Sequence, residues 1–200
     1  MAIRDPKYIR DFKGFTRTEI TADDLPDLES ELYGSNDRAS IIMMGTIIES
    51  GLDRFVRNRT RPTLNADDRR LLFDYSGPLG TFSSKILLAY AFNFIGPETR
   101  HDLDLIRILR NGFAHCKKAF GFTTPEVAAV CAELKSPEWD GSVVSVSYLL
   151  TLARTQSSEL EQIDDRTNPK SRWMIACHTI SERLFRNAGG HIDGEVTDLR

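Results

Sequence analysis

The chain has 200 residues, of which 40% are hydrophobic and 28% charged, with a net charge of -3. Ordinary apolar content at low net charge excludes a largely disordered chain, and the longest apolar-rich runs, 41–48 and 86–95, fall well short of the roughly 20 residues a spanning helix needs. A sequence pI near 5.8 argues against a dedicated, charge-driven duplex-DNA binder but leaves room for a local basic patch.

The length suits one sizeable core. The first residues lack the apolar centre of a secretory signal. Cys116, Cys131 and Cys177 form an odd, sparse set without CxxC spacing. They read as reduced thiols in a cytoplasmic protein, not as a disulfide framework or zinc site.

Residues 1–20 are mixed and dotted with Tyr8, Phe12 and Phe15, and read as an N-terminal arm. From Thr21 the pattern turns helical, with Leu25, Leu28 and Leu32 at spacings of three and four and Gly34 as a stop. Ser35 or Asn36 then caps the strongest helix. Its stripe is Ile41, Met44, Ile48, Leu52 and Phe55, widened by Ile42, Met43, Ile47 and Val56. So apolar a helix is predicted to be central to a bundle or buried on two sides. Asn65 opens a shorter helix through Leu71, Leu72 and Tyr75, and Gly77-Pro78-Leu79-Gly80 is a sharp turn. Thr81 or Ser83 caps a helix carrying Phe82, Ile86, Leu87, Tyr90 and Phe94. Pro97 is placed as the first residue of the next, which turns Leu105, Ile108 or Leu109, and Phe113 to the core. Thr124-Pro125 starts another, through Val127, Val130 and Leu134, and a loop spans 137–141. Residues 142–152 are read as a helix, although Val143, Val144 and Val146 favour a strand. A polar linker over 155–169 precedes a last helix with Trp173, Cys177, Ile180 and Leu184 on one face, stopping at Gly189-Gly190 before a polar tail, 191–200. The prediction is an all-α single-domain bundle of six or seven helices over 21–190.

Two features carry chemistry. The turn at 77–80 leads into a helix N-terminus with Ser83, Ser84 and Lys85, and Arg110-Asn111-Gly112-Phe113-Ala114-His115 ends an amphipathic helix. Arg110 and His115 are five residues apart, which on an unbroken helix is about 140° of rotation and roughly 7.5 Å of rise. A helix end at Gly112 would let the imidazole fold back towards the guanidinium. A guanidinium forks onto phosphate oxygens, and an imidazole moves protons near neutrality. Asn111 is placed to orient either group, and two such helix ends meeting in a homodimer would give a composite site. The alternative is structural: cations complementing a helix C-terminus, with Arg110 paired to Asp102 or Asp104.

The stretch GPLGTFSSKILLAYAFNFIG with HDLDLIRILRNGFAH resembles the mannitol-operon repressor family, small all-helical bacterial proteins. The likeness covers about the central third of the chain, and implies a transcriptional regulator, here one acting through a protein partner. The RNGFAH end also resembles the Arg-x4-6-His motif of HEPN domains, many of them dimeric, metal-independent endoribonucleases of toxin–antitoxin and defence systems. That second resemblance implies Arg110 and His115 as a catalytic pair on RNA, with Asn111 as the polar residue beside the arginine.

Lys85, His101, Arg107 and Lys117 are candidate anion-binding residues around this segment. Residues 100–120 hold five Lys/Arg against two Asp. Arg54, Arg57, Arg59 and Arg61 cluster at the end of the long helix; a solvated helix terminus is the favoured reading and a phosphate-contacting patch the other. The phenylalanines at 92, 94, 113, 120 and 122, like Met43 and Met44, read as core or dimer packing. Cys116 lacks an orienting group at readable spacing, and His178 reads as a satisfied or surface histidine. There is no Walker loop, GxGxxG or HExxH, so no cofactor or metal is expected. No polar recognition helix follows a glycine turn, so no direct DNA-reading element is expected.

Overall fold

A computed structural model describes residues 21–25, 27–28, 32, 35–139 and 166–186, together with Lys7. The expected N-terminal arm, the helix at 142–152 and the 191–200 tail lie outside the described residues. The described residues form six α-helices and two short 3-10 turns, with no strand among them. The helices are α1 (Asp37–Asn58), α2 (Ala66–Phe73), α3 (Phe82–Ala91), α4 (Pro97–His115), α5 (Pro125–Ala132) and α6 (Pro169–Arg186).

α1 is the central element and packs on α6, α4 and α3. Asn36 caps it, its side chain accepting the Ala39 N–H at 3.0 Å. The stripe Ile41, Met44, Ile48, Leu52 and Phe55 is buried, as are Ile47 and Val56 on the widened face; Ile42 is half-buried and Met43 is 44% exposed. Arg38 reaches Phe113 while Gly45 abuts Ile106 and Arg110, so α1 and α4 run antiparallel. Gly51 abuts Leu184 and Phe185 while Ser35 accepts from Lys170, so α6 runs parallel to α1 on its other side. On α6 the expected face of Trp173, Cys177, Ile180 and Leu184 is fully buried. The described part of that helix begins at Pro169, which the sequence placed in the linker, and reaches Arg186.

α2 is capped by Asn65, which accepts the Asp68 N–H at 2.8 Å. It buries Phe73 alone and ends there, so Leu71 is 72% exposed and Tyr75, expected on the helix, lies beyond it at 89%. A two-turn helix has room for one buried anchor, and Asp74 turns extended straight after it. The glycine turn closes through Leu79 N–H to Leu72 O at 2.8 Å, and a Cβ on Gly77 or Gly80 would fall 2.4 or 2.3 Å from a backbone carbonyl oxygen. Thr81, not Ser83, caps α3: it accepts the Ser84 N–H at 3.2 Å, and Ser84 returns the bond to the Thr81 N–H. α3 ends in a Schellman motif with Asn93 left-handed at φ 57°, Phe94 N–H reaching Ala89 O and Asn93 N–H reaching Tyr90 O. Phe94, read as helical, therefore follows the helix.

α4 starts at Pro97 as expected and buries Leu103, Ile106, Leu109 and Phe113; Ile108 is 50% exposed and Leu105 packs at the margin. Beyond α5, the segment read as a loop contains a 3-10 turn, Ser136–Glu138. Two long-range side chains hold it. The buried Asp102 carboxylate accepts the N–H groups of Lys135 at 2.9 Å and Ser136 at 2.7 Å, and burial pushes its pKa above the usual carboxylate range. The Arg172 guanidinium donates to the carbonyls of Cys131 at 3.1 Å and Leu134 at 2.6 Å, and to Glu138 at 2.6 Å. Arg38 does the same for the end of α4, donating to the carbonyls of Phe113, Cys116 at 2.9 Å and Lys118 at 2.8 Å. Both helix C-termini are thus completed by an arginine from a distant helix.

Two glycines should respond oppositely to alanine. A Cβ on Gly45 would sit 2.8 Å from Arg110 Cβ and Cγ, whereas one on Gly112 meets nothing within 4 Å. Gly45→Ala should lower the unfolding free energy by about 1–3 kcal/mol through overpacking, and Gly112→Ala should raise it by about 0.5–1 kcal/mol. Urea denaturation of the two variants beside the parent checks both signs.

Candidate functional site

The end of α4 is where sequence reasoning places the chemistry. The helix does not break at Gly112; it continues to His115, and Cys116 N–H still bonds Gly112 O at 2.9 Å. With Arg38 receiving the terminal carbonyls, nothing requires an earlier stop. Arg110 and His115 therefore remain about 140° apart around one continuous helix, and the expected fold-back of the imidazole is absent.

Arg110 turns inwards, towards α1. Its guanidinium forms an ion pair with Glu49, each side chain 24% exposed, and donates to Asn111 Oδ1 at 2.8 Å. It lies 5.9 Å above the centre of the Phe82 ring, and its Nε is buried without a partner. The expected pairing with Asp102 or Asp104 does not occur. Asp102 is committed to the turn after α5, and Asp104 pairs with Arg107 at 3.2 Å. His115 points to solvent on the opposite side. Asn111, four residues before His115, shares its side of the helix and is also the residue Arg110 touches.

Glu49 belongs to a ladder. One turn further along α1, Asp53 pairs with Lys85 of α3 at 2.8 Å and with Arg57. Lys85 is buried at 6% exposure, so this anion-binding candidate is already neutralised inside the fold. His101 Nε2 donates to Glu133 O at 3.1 Å. Arg107 is held by Asp104; Arg100 lies 4.5 Å over the Tyr90 ring while Arg110 lies over Phe82, so α3 runs antiparallel to α4. Lys117 is exposed beside the α4 terminus. The structure thus groups Arg110 with Asn111 and Glu49, and leaves His115 and Lys117 outward; Lys85, His101 and Arg107 each hold a separate partner.

Glu49, Asp53 and Arg38 were not singled out in the sequence. The signal for Glu49 and Asp53 is their spacing of four with Arg57 along a largely apolar helix, a charged row that must meet charges on whatever packs there; no such pattern marks Arg38.

No disulfide joins the three cysteines, and burial pushes the Cys131 thiol up to about 12, which makes it inert as a nucleophile. Among the described residues no His/Cys/Asp/Glu group has metal-site geometry, and no helix is long and apolar enough to cross a membrane.

No family model matches the chain, and no curated protein matches it by sequence. Two solved structures share its fold. One is MtlR in its complex with HPr from Escherichia coli, 19% identical, covering 78% of this chain and 98% of that one with a TM-score of 0.56. The other is a possible transcriptional regulator, YggD, from Shigella flexneri, 14% identical, covering 84% of this chain and 99% of that one with a TM-score of 0.55. At these identities the likeness establishes the fold.

Arg110 and His115 should separate in a stability assay. Arg110→Ala removes a packed stem and strands Glu49, and should cost about 1–3 kcal/mol. His115→Ala, on an exposed surface, should stay within about 0.5 kcal/mol of the parent. Chemical denaturation reads both, and equal effects would contradict this division of roles.

Proposed function

We propose that this protein is a regulator of the mannitol-operon repressor type that affects transcription indirectly, by binding a protein partner. The observation that carries the reading is the shared fold with MtlR, a protein solved in complex with HPr, over nearly the whole of that chain. The second solved relative in fold is itself described as a possible transcriptional regulator. A docking surface is available in kind. Leu87 on α3 is 57% exposed, and Ile108 on α4 is 50% exposed. Large apolar side chains left in water on packed helices are what a protein partner covers. α3 and α4 lie side by side, so the two residues sit on adjoining helices.

Calorimetric titration of the protein with HPr, the partner found with MtlR, tests this directly. Binding is expected, and it should weaken at least tenfold in a Leu87→Asp/Ile108→Asp double variant. No heat of binding, together with unchanged transcript levels in a deletion strain, would remove the reading.

The accessibility of His115 favours a second reading, a metal-independent endoribonuclease in which His115 moves the proton at the 2′-hydroxyl and Arg110 holds the scissile phosphate. That role requires Arg110 to exchange Glu49 for the phosphate, and Asn111 to bridge the two sides of the helix. Cleavage of RNA in EDTA should then be abolished by His115→Ala and raised by Glu49→Gln. Absence of cleavage by the parent protein disposes of this reading and leaves the regulatory one intact.

A further inference from the structure

The segment from Arg54 to Arg70 carries six arginines and no lysine, against two aspartates, in a chain whose net charge is -3. The fold surrounds the end of α1 with aromatic rings. The Arg57 guanidinium lies 3.9 Å over Phe73 of α2. Arg59 lies 3.4 Å over Phe55 and 5.7 Å from the centre of Phe94. Phe94 in turn stacks on Phe92 at 5.8 Å between centroids, with the planes 28° apart. Phe92 is 61% exposed and is held there by the Schellman turn at Asn93, so one face is backed by Phe94 while much of the ring meets water. Arg61 and Arg70 are exposed and make no ion pair among the described residues.

A solvated helix C-terminus would need cations but no rings, and a core would not leave Phe92 in water. Guanidinium groups fork onto phosphates and stack on flat π-systems. A backed, exposed aromatic ring offers a platform for an unpaired base, and cations beside it follow the backbone. We propose that the arginine–aromatic surface formed by the end of α1, the end of α2 and the turn after α3 binds single-stranded nucleic acid. An acidic polypeptide would use the arginines but would gain little from the flat Phe92 face. A duplex presents its phosphates but hides its bases. The surface is separate from the α4 terminus, so binding here does not depend on His115.

Fluorescence anisotropy with a labelled oligo-uridine 12-mer, the matching oligo-deoxythymidine and a duplex of equal length tests the assignment. The single strands are expected to bind and the duplex to bind more weakly. The RNA and DNA arms show which sugar is preferred. Affinity should fall with salt, the logarithmic slope being roughly -0.7 per phosphate neutralised. Phe92→Ala should weaken single-strand binding by about five- to 150-fold, the range for one stacked base. Arg61→Glu/Arg70→Glu should weaken it and flatten the salt slope, whereas His115→Ala should leave it unchanged. Circular dichroism confirms that these exposed-site variants fold. Any of three results overturns the proposal: no binding of either single strand at 50 mM salt, equal binding of single strand and duplex, or affinity indifferent to Phe92→Ala. Poly-glutamate binding as tightly as the oligonucleotides in the parent and in Phe92→Ala would assign the surface to an acidic protein instead.

Discussion

Where α1 meets α4, a glycine lies under an arginine. Gly45 lets the helices approach until the Arg110 stem rests on the α1 backbone, and that closeness brings the guanidinium within reach of Glu49. The charges at this seam are only partly sheltered, so the pair adds less by attraction than by position, because stranding either partner would leave a charge among apolar neighbours. Asp53 and Lys85 repeat the arrangement one turn on and bring in α3. Three helices are thus registered by two carboxylates on one face of α1, and the surfaces discussed above take their positions from that register.

The fold was legible because its determinants are local. A three-four apolar period, Asn or Thr before a helix, Pro at its first position and Gly-Pro between elements fix the helices. The buried stripes of α1 and α6 appeared residue for residue. The errors fell where tertiary contacts decide. Tyr75 and Phe94 continue an apolar period, yet lie past the ends of α2 and α3 because the chain had already turned. Gly112 looked like a stop, but whether a helix stops depends on what receives its last carbonyls. Here that is Arg38, some 75 residues away in sequence.

The candidate site was legible in composition and not in arrangement. A cation, an amide and an imidazole within six residues can be read from the sequence; that Glu49 would engage the cation cannot, since nothing in a single sequence pairs α1 with α4. The same limit applied to Arg54 through Arg61. Four arginines at the end of an apolar helix look like an ordinary terminus until the fold sets Phe73 against Arg57, Phe94 near Arg59, and Phe92 on Phe94. In the sequence Phe73 lies 16 residues from Arg57, and Phe94 lies 35 residues from Arg59. The fold thereby presents three surfaces of different character: apolar side chains on α3 and α4, an imidazole at the end of α4, and an arginine–aromatic cluster at the end of α1.

Arg38 and Arg172 have a consequence for how the molecule opens. Segments after α4 and α5 would ordinarily fray on their own, as helix ends do, and their amides would exchange with solvent through small local fluctuations. Here the carbonyls of both ends are gripped from α1 and α6, and the Lys135 and Ser136 amides are gripped by Asp102. Releasing them means separating helices across the core. The Lys135 and Ser136 amides therefore belong to the same cooperative unit as the central helix, and deuterium should enter them far more slowly than it enters an unheld helix end.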